Sequence, residues 1–162
     1  MTDAVTVAPC AAADLPAIEA FLAALQDHEG ELRVDLRAGR EVAGEYLAAI
    51  RDKSAARSGA LLVASRDGEV AGFVCFWHEQ DDDMLLQDEA RRYGYVSDLF
   101  VAPGQRRKGV ARALLAAAER HFAALGVTRL RINAIAANAA ARALYEAHGF
   151  APLELVFEKR LG

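Results

Sequence analysis

Arg106, Arg107 and Lys108 stand in a row in the stretch APGQRRKGVARALL, followed by Gly109 and an apolar run. Adjacent like charges repel, and glycine gives up helix propensity at a helix start. The arrangement makes chemical sense if an anion sits there. A helix N-terminus presents unpaired N–H groups and a partial positive charge. A glycine-containing turn lets the backbone come close enough for amides to cradle phosphate oxygens. The helix-end field is worth roughly 0.3–1 kcal/mol per charge, so oriented amides and charge-assisted bonds must supply most of the affinity. Two familiar phosphate loops do not fit. There is no GKS or GKT, and the single glycine between residues 105 and 125 rules out G-x-G-x-x-G.

A second constellation lies downstream in NAAARALYEAHGF, residues 138–150. Asn138 and Tyr145 are seven residues apart, about two helical turns, and so share one helix face. By spacing alone Tyr145 reads first as a core aromatic, and Asn138 as a helix N-cap.

The elements that must position these residues follow from periodicity. Val5–Ala8 reads as a short strand. Asp14 and Pro16 suit the start of a helix whose apolar face is Leu15, Ile18, Leu22 and Leu25, with Phe21 alongside. Residues 26–38, polar with few apolar anchors, read as a loop. Val42, Tyr46, Leu47 and Ile50 mark a second helix that fades by Arg57. Two β-prone runs flank Asp67-Gly68, a type I′ turn pair, and predict a hairpin. Residues 80–92 are an acidic and then basic excursion. YGYVSDLFV, 93–101, is a strand stopped by Pro103-Gly104. The third helix starts near Gly109, buries Ala111, Leu114, Leu115, Ala118, Phe122 and Leu125, and is C-capped by Gly126. TRLRINAIA alternates as a strand, Asn138 caps a fourth helix ending at Gly149, and PLELVFEKR reads as a final strand. The order β-α-α-β-β-β-α-β-α-β predicts an α/β architecture of the α+β mixed-sheet kind, a mostly antiparallel sheet with helices on both faces.

Composition narrows the function classes. A chain of 162 residues suits one domain, 1–162, with no linker-like break. Hydrophobic residues make up 54% and charged residues 26%, a globular composition. The net charge of −4 argues against a nucleic-acid partner, because gripping a phosphate backbone usually takes a basic domain. No apolar run reaches membrane-spanning length, and MTDAVTVAPC lacks the basic start and long apolar run of a signal peptide. Cys10 and Cys75 are isolated, without metal-ligand spacing, and are expected to be reduced thiols. The expectation is a cytoplasmic protein with no membrane partner and no metal.

Taken together, Arg106-x-x-Gly109-x-Ala111 and the 138–150 segment carry a resemblance. The first matches the R/Q-x-x-G-x-G/A signature of acetyl-CoA-binding proteins. The run from Tyr95 to Phe150 closely resembles the GNAT superfamily of acyl-CoA-dependent N-acyltransferases. Residues 1–94 agree with that fold in element order only. The resemblance implies acetyl-CoA as cosubstrate and a small-molecule or peptide amine as acceptor. It implies that backbone groups of Phe100 and Val101 pair with the acetyl carbonyl and the pantetheine arm. Amides from Arg106 through Arg107, Lys108, Gly109 and Val110 to Ala111 would hold the pyrophosphate, with Arg112 close by. Asn138 would contact the pantetheine region, and Tyr145 would protonate the leaving thiolate. Ala111 stands where glycine is common. The family commonly dimerises, so a homodimer is among the expected partners.

An alkylamine acceptor with a pKa near 10.4 is neutral in roughly one molecule in 2,500 at pH 7, a deprotonation cost of about 4.6 kcal/mol. A base, a water relay or a desolvated pocket must offset that. Asp98, two residues before Phe100, is the first candidate. Some polyamine-acetylating relatives carry a carboxylate pair there, whereas this chain has Ser97-Asp98. His78 and Glu79 are alternatives. In this family the loop between the first two helices usually borders the acceptor, here His28 to Arg37. The acidic residues Glu79, Asp81–Asp83, Asp88 and Glu89 could draw in a cationic amine. Polyamine, aminoglycoside, amino acid and protein N-terminus all stay open as acceptors. So does a non-catalytic acyl-CoA-binding module of the same fold.

Overall fold

The computed structural model describes residues 4–162. Its elements are β1 (Thr6–Pro9), α1 (Leu15–Leu32), α2 (Gly39–Ala56), β2 (Ala60–Arg66), β3 (Glu69–Gln80), β4 (Arg92–Val101), α3 (Val110–Ala124), β5 (Leu130–Ile132) and α4 (Ala139–Ala147). The strands form one sheet in the order β1-β2-β3-β4-β5. The first three pairings are antiparallel and β4 runs parallel to β5. The mixed α/β expectation therefore holds. Asp67 and Gly68 both take positive φ, 54° and 80°, as a type I′ turn between β2 and β3 requires.

Each sheet face carries its own core. On one side Phe73, Cys75, Trp77 and Phe100 pack with Ile18 and Leu22 of α1 and Leu47 and Ile50 of α2. On the other, Val74, Phe76 and Val96 pack with Val110, Leu114, Ala118 and Phe122 of α3. Burying each such Leu, Val or Phe side chain is worth about 1.5–3 kcal/mol.

Two elements depart from the periodicity reading. Residues 26–38 are not all loop, because α1 continues to Leu32. Gln26, Glu29, Glu31 and Leu32 are good helix formers. The returning chain also ties the helix down. Gln26 Nε2 donates to the Arg37 carbonyl at 3.0 Å, and the Gly39 amide donates to Asp27 Oδ1 at 2.7 Å. α2 starts so close to α1 that a side chain at Gly39 would collide with the Ala23 backbone. The second departure is the final strand. Residues 152–160 form no strand, so the observed order ends at α4, and the whole segment lies exposed. Its β-propensity is real, but no described strand lies beside it to receive its backbone. For the same reason the strand read over 128–136 pairs only through Leu130, Arg131 and Ile132. Asp14 precedes α1 as expected, yet its carboxylate accepts from the Ala11 amide at 2.8 Å rather than capping the helix.

A β-bulge in β4 positions the site. Cys75 pairs with Asp98 and Phe76 with Val96, so Ser97 is the extra residue. One inserted residue reverses which parity faces which side. Before it, Tyr95 lies against the α1–α2 core. After it, the even-numbered Phe100 does, while Leu99 and Val101 lie against the α3 core. The parallel pairing with β5 ends at Val96–Ile132, one residue before the bulge. Beyond that point β4 has no strand on its β5 side among the described residues, and the sheet opens as a wedge.

Candidate active site

The wedge is the inner end of a cleft of about 1140 Å3. Ser97 through Val101 line one wall. Ile132, Asn133 and Ala134 line the facing wall. Asn138, Ala141, Leu144 and Tyr145 of α4 close one side, and His28, Glu29 and Tyr46 the other. The volume exceeds the 300–1,000 Å3 typical of small-molecule pockets, which leaves room for an extended ligand beside a second substrate.

At one end of the cleft sits the start of α3. Gly109 is its N-cap, with φ of 81°, and Arg107 also lies in the left-handed region at φ of 62°. Left-handed backbone at the N-cap turns the chain sharply into the helix, leaving the first-turn amides without intrahelical acceptors. Arg106, Arg107, Gly109, Val110, Ala111 and Arg112 all line the cleft. Lys108 is exposed and does not. Arg106 Nε donates to the Val101 carbonyl at 3.3 Å, which ties the turn to the end of β4. The residues present therefore fit an anionic, phosphate-bearing group. The helix-end amides and three guanidinium groups line one end, and an unpaired strand edge leads inward from it.

Asp98 lies deeper. It is 7% exposed, and its carboxylate is held by two hydroxyls. The Tyr46 hydroxyl donates to it from 3.2 Å (Oδ1) and 3.1 Å (Oδ2). The Ser97 hydroxyl lies 2.7 Å from Oδ2. Burial pushes the Asp98 carboxyl up to about 6, although both hydrogen bonds favour its ionised form; the nearby Glu29 carboxylate adds a smaller upward push. A carboxylate in that range is mostly ionised at pH 7 yet basic enough to take up a proton. Burial also raises Glu29.

Tyr145 is half-buried on α4, its ring 6.0 Å from that of Phe150. Burial pushes its phenol up to about 12, with the negative fields of Glu29 and Asp98 acting in the same direction. It stays protonated at neutral pH, as an acid must. Asn138 caps α4, its Oδ1 accepting from the Ala141 amide at 3.0 Å, while also lining the cleft.

The other candidate bases lie elsewhere. Glu79 is bound by the Trp77 indole and the Arg57 guanidinium, each at 2.6 Å, with Lys53 at 3.6 Å. His78 borders a separate, smaller hollow beside Leu125–Thr128. Neither lines the cleft, and neither does any acidic residue of 80–92. Periodicity missed Tyr46 and Glu29. Tyr46 reads as one more apolar position of α2, and Glu29 falls in a stretch that looks like loop.

Residues 22–150 match the family model described as Acetyltransferase (GNAT) family. The chain belongs to this family. An uncharacterized N-acetyltransferase of Bacillus subtilis (strain 168), YhfO, is 31% identical over 90 residues. That match spans 56% of the chain and little more than half, 57%, of the relative. Among solved structures, a tetramutant of the BH1408 protein from Bacillus halodurans superposes with a TM-score of 0.83 at 18% identity, covering 96% of this chain and 99% of that one. A ribosomal-protein-alanine N-acetyltransferase from Brucella melitensis biovar Abortus 2308 gives 0.67 at 25% identity, covering 98% and 100%. The aminoglycoside N-acetyltransferase AAC(6')-Iy, solved in complex with CoA, gives 0.70 at 17% identity, covering 99% and 97%. The wedge between β4 and β5 and the basic turn before α3 thus lie within the residues that match the family model. Among the described residues, no helix is long and apolar enough to cross a membrane.

Proposed function

We propose that this GNAT-family chain, acting as one domain, transfers an acetyl group from acetyl-CoA to a primary amine of a small molecule or peptide. The observation that carries the reading is the shared cleft. It joins a basic helix N-terminus to a buried carboxylate of raised pKa and a protonated tyrosine.

Acetyl-CoA supplies the activated thioester. The amides and guanidinium groups at Arg106–Arg112 bind its phosphates. The unpaired edge of β4 around Phe100 and Val101 offers backbone groups to the pantetheine arm and to the oxyanion. Glu29 and Asp98 favour a cationic acceptor and draw its ammonium inward. Asp98 takes up the ammonium proton. The neutral nitrogen attacks the thioester carbon, a C–N bond forms, and the C–S bond breaks. Tyr145 gives its proton to the departing thiolate and is reprotonated by the second proton, which the nitrogen sheds as it becomes an amide. Excluding water raises the worth of each of these interactions.

The test is a calorimetric titration with acetyl-CoA, repeated on an Arg106→Glu, Gly109→Glu double variant, followed by a thiol-release assay over a panel of amines. Micromolar binding lost in the variant, and thiol release that depends on an amine, support the reading. A folded wild type that binds no acetyl-CoA overturns it.

A further inference from the structure

Two carboxylates stand at the inner end of the cleft without a counter-charge. Asp98 is buried, and the Tyr46 and Ser97 hydroxyls that hold it carry no charge. Glu29, half-buried on α1, lines the same cleft. Among the described residues neither has an ion-pair partner. The two lie close enough for Glu29 to act on Asp98, and both act on Tyr145. Burial raises Glu29, and the adjacent His28 offsets that by less. The other charged side chains of the cleft are accounted for. Asp35 is bidentate to Arg33, at 2.7 and 3.1 Å, and Arg37 faces Glu41 at 3.7 Å. Arg106, Arg107 and Arg112 lie at the phosphate end. Taking a charge out of water without a partner is costly. A ligand that brings two cations removes both costs. A monoamine answers one carboxylate only, and an amino acid adds a third negative charge.

The walls decide what joins the two cations. Leu22, Leu25, Leu36, Val42 and Leu144 give the cleft aliphatic surface. The polar side chains among them already bond within the chain. Gln26 donates to the Arg37 carbonyl, Tyr46 and Ser97 serve Asp98, and His148 Nδ1 lies 2.7 Å from the Leu144 carbonyl. A sugar-borne amine would leave hydroxyls facing hydrocarbon, each at the cost of an unmade hydrogen bond. A methylene chain has no such groups and gains from the burial.

We propose that the acceptor is a linear aliphatic diamine, its reacting ammonium at Asp98 and its far ammonium held by Glu29. This rests on the acetyl-transfer reading above and narrows its acceptor. One ammonium becomes an acetamide, the CoA thiol and one proton are released, and the far ammonium stays charged. The acetylated end no longer answers the Asp98 carboxylate, so the product binds more weakly than the diamine and leaves.

Calorimetry at pH 8 in the presence of CoA, which has no acetyl group to transfer, tests the site apart from the reaction. The ligands are 1,3-diaminopropane through 1,6-diaminohexane, each beside the monoamine, amino alcohol and amino acid of the same chain length. At the best length the diamine should bind about ten- to a hundredfold more tightly than the monoamine or amino alcohol, the usual worth of a charge-assisted bond, and the amino acid should bind weakest. Glu29→Gln should lower the diamine-to-monoamine affinity ratio about tenfold or more. A monoamine that matches the diamine at every length overturns the proposal. So does an amino acid that ranks first, which would make Arg37 the anchor, or a ratio that Glu29→Gln leaves unchanged. Thiol release from acetyl-CoA is then measured on the same amines. Release in the order of the affinities supports the diamine. Release that favours monoamines overturns the acceptor alone, and no release from any amine overturns the transfer reading and the acceptor with it.

Discussion

Tyr46 of α2 donates its hydroxyl proton to Asp98 of β4, fifty-two residues away in the chain, from 3.1–3.2 Å. The bond spans the layer between helix and sheet and fixes the carboxylate at the inner end of the cleft. With Ser97 it favours the ionised form that burial opposes. The balance leaves Asp98 near 6, where it can serve as a base at neutral pH.

Changing Asp98 separates chemistry from stability. Asp98→Asn should lower kcat/KM by about 10²–10⁴, the usual worth of a general base, with acetyl-CoA affinity retained. Stability should move the other way. The folded pKa lies above the unfolded value of 3.8, so the wild type is favoured while the group is protonated and loses stability as pH rises from about 4 through about 6. Asparagine does not ionise and still accepts from Tyr46. The variant should therefore match or exceed the wild-type Tm at pH 8, and gain nothing at pH 4. Thermal melts at the two pH values check the sign.

The acidic limb of the pH–rate profile should respond to the groups around Asp98 in opposite directions. Tyr46→Phe removes a donor to the ionised form and should shift the limb of kcat/KM to higher pH. Glu29→Gln removes a neighbouring negative charge and should shift it lower. Tyr95, Tyr145 and Cys75 also surround Asp98; all three are raised mainly by burial and stay protonated across this range. Profiles that superpose with the wild type would remove Asp98 as the titrating group.

Tyr145→Phe keeps the ring against Phe150 and deletes only the hydroxyl. Turnover should fall by about 10²-fold or more for an amine acceptor, with the Kd for acetyl-CoA nearly unchanged. Equal loss of binding and turnover would point to packing rather than proton transfer.

Gly109→Ala tests the turn without touching a charge. Nothing lies within 4 Å of the added Cβ, so the cost is backbone strain at φ of 81°. That strain is about 1–2 kcal/mol, and relieving it would rotate the first-turn amides. A lower Tm and weaker acetyl-CoA binding should appear together, and calorimetry with a melt reads both.

The turn before α3, the four helices, the hairpin and the mixed α/β class are all local statements, written in periodicity, in capping glycines and in the Asp67-Gly68 pair. They depend on residues within a few positions of one another, so the sequence by itself determined them. The sequence also carried Asn138 and Tyr145, because helical spacing puts residues seven apart on one face. Tertiary structure alone decided the rest. Ser97 became a bulge through its pairing with β3, and the parity reversal that turns Asp98 and Phe100 to the side that Tyr95 faces, against α1 and α2, follows from that pairing. Tyr46 and Glu29 joined the site because α1 and α2 pack across the sheet, an arrangement no spacing rule encodes. Glu79 left it because Trp77, Arg57 and Lys53 compete for its carboxylate. The segment 152–160 has the pattern of a strand in sequence, but a strand needs a neighbour to satisfy its backbone, and whether one is present is a property of the fold.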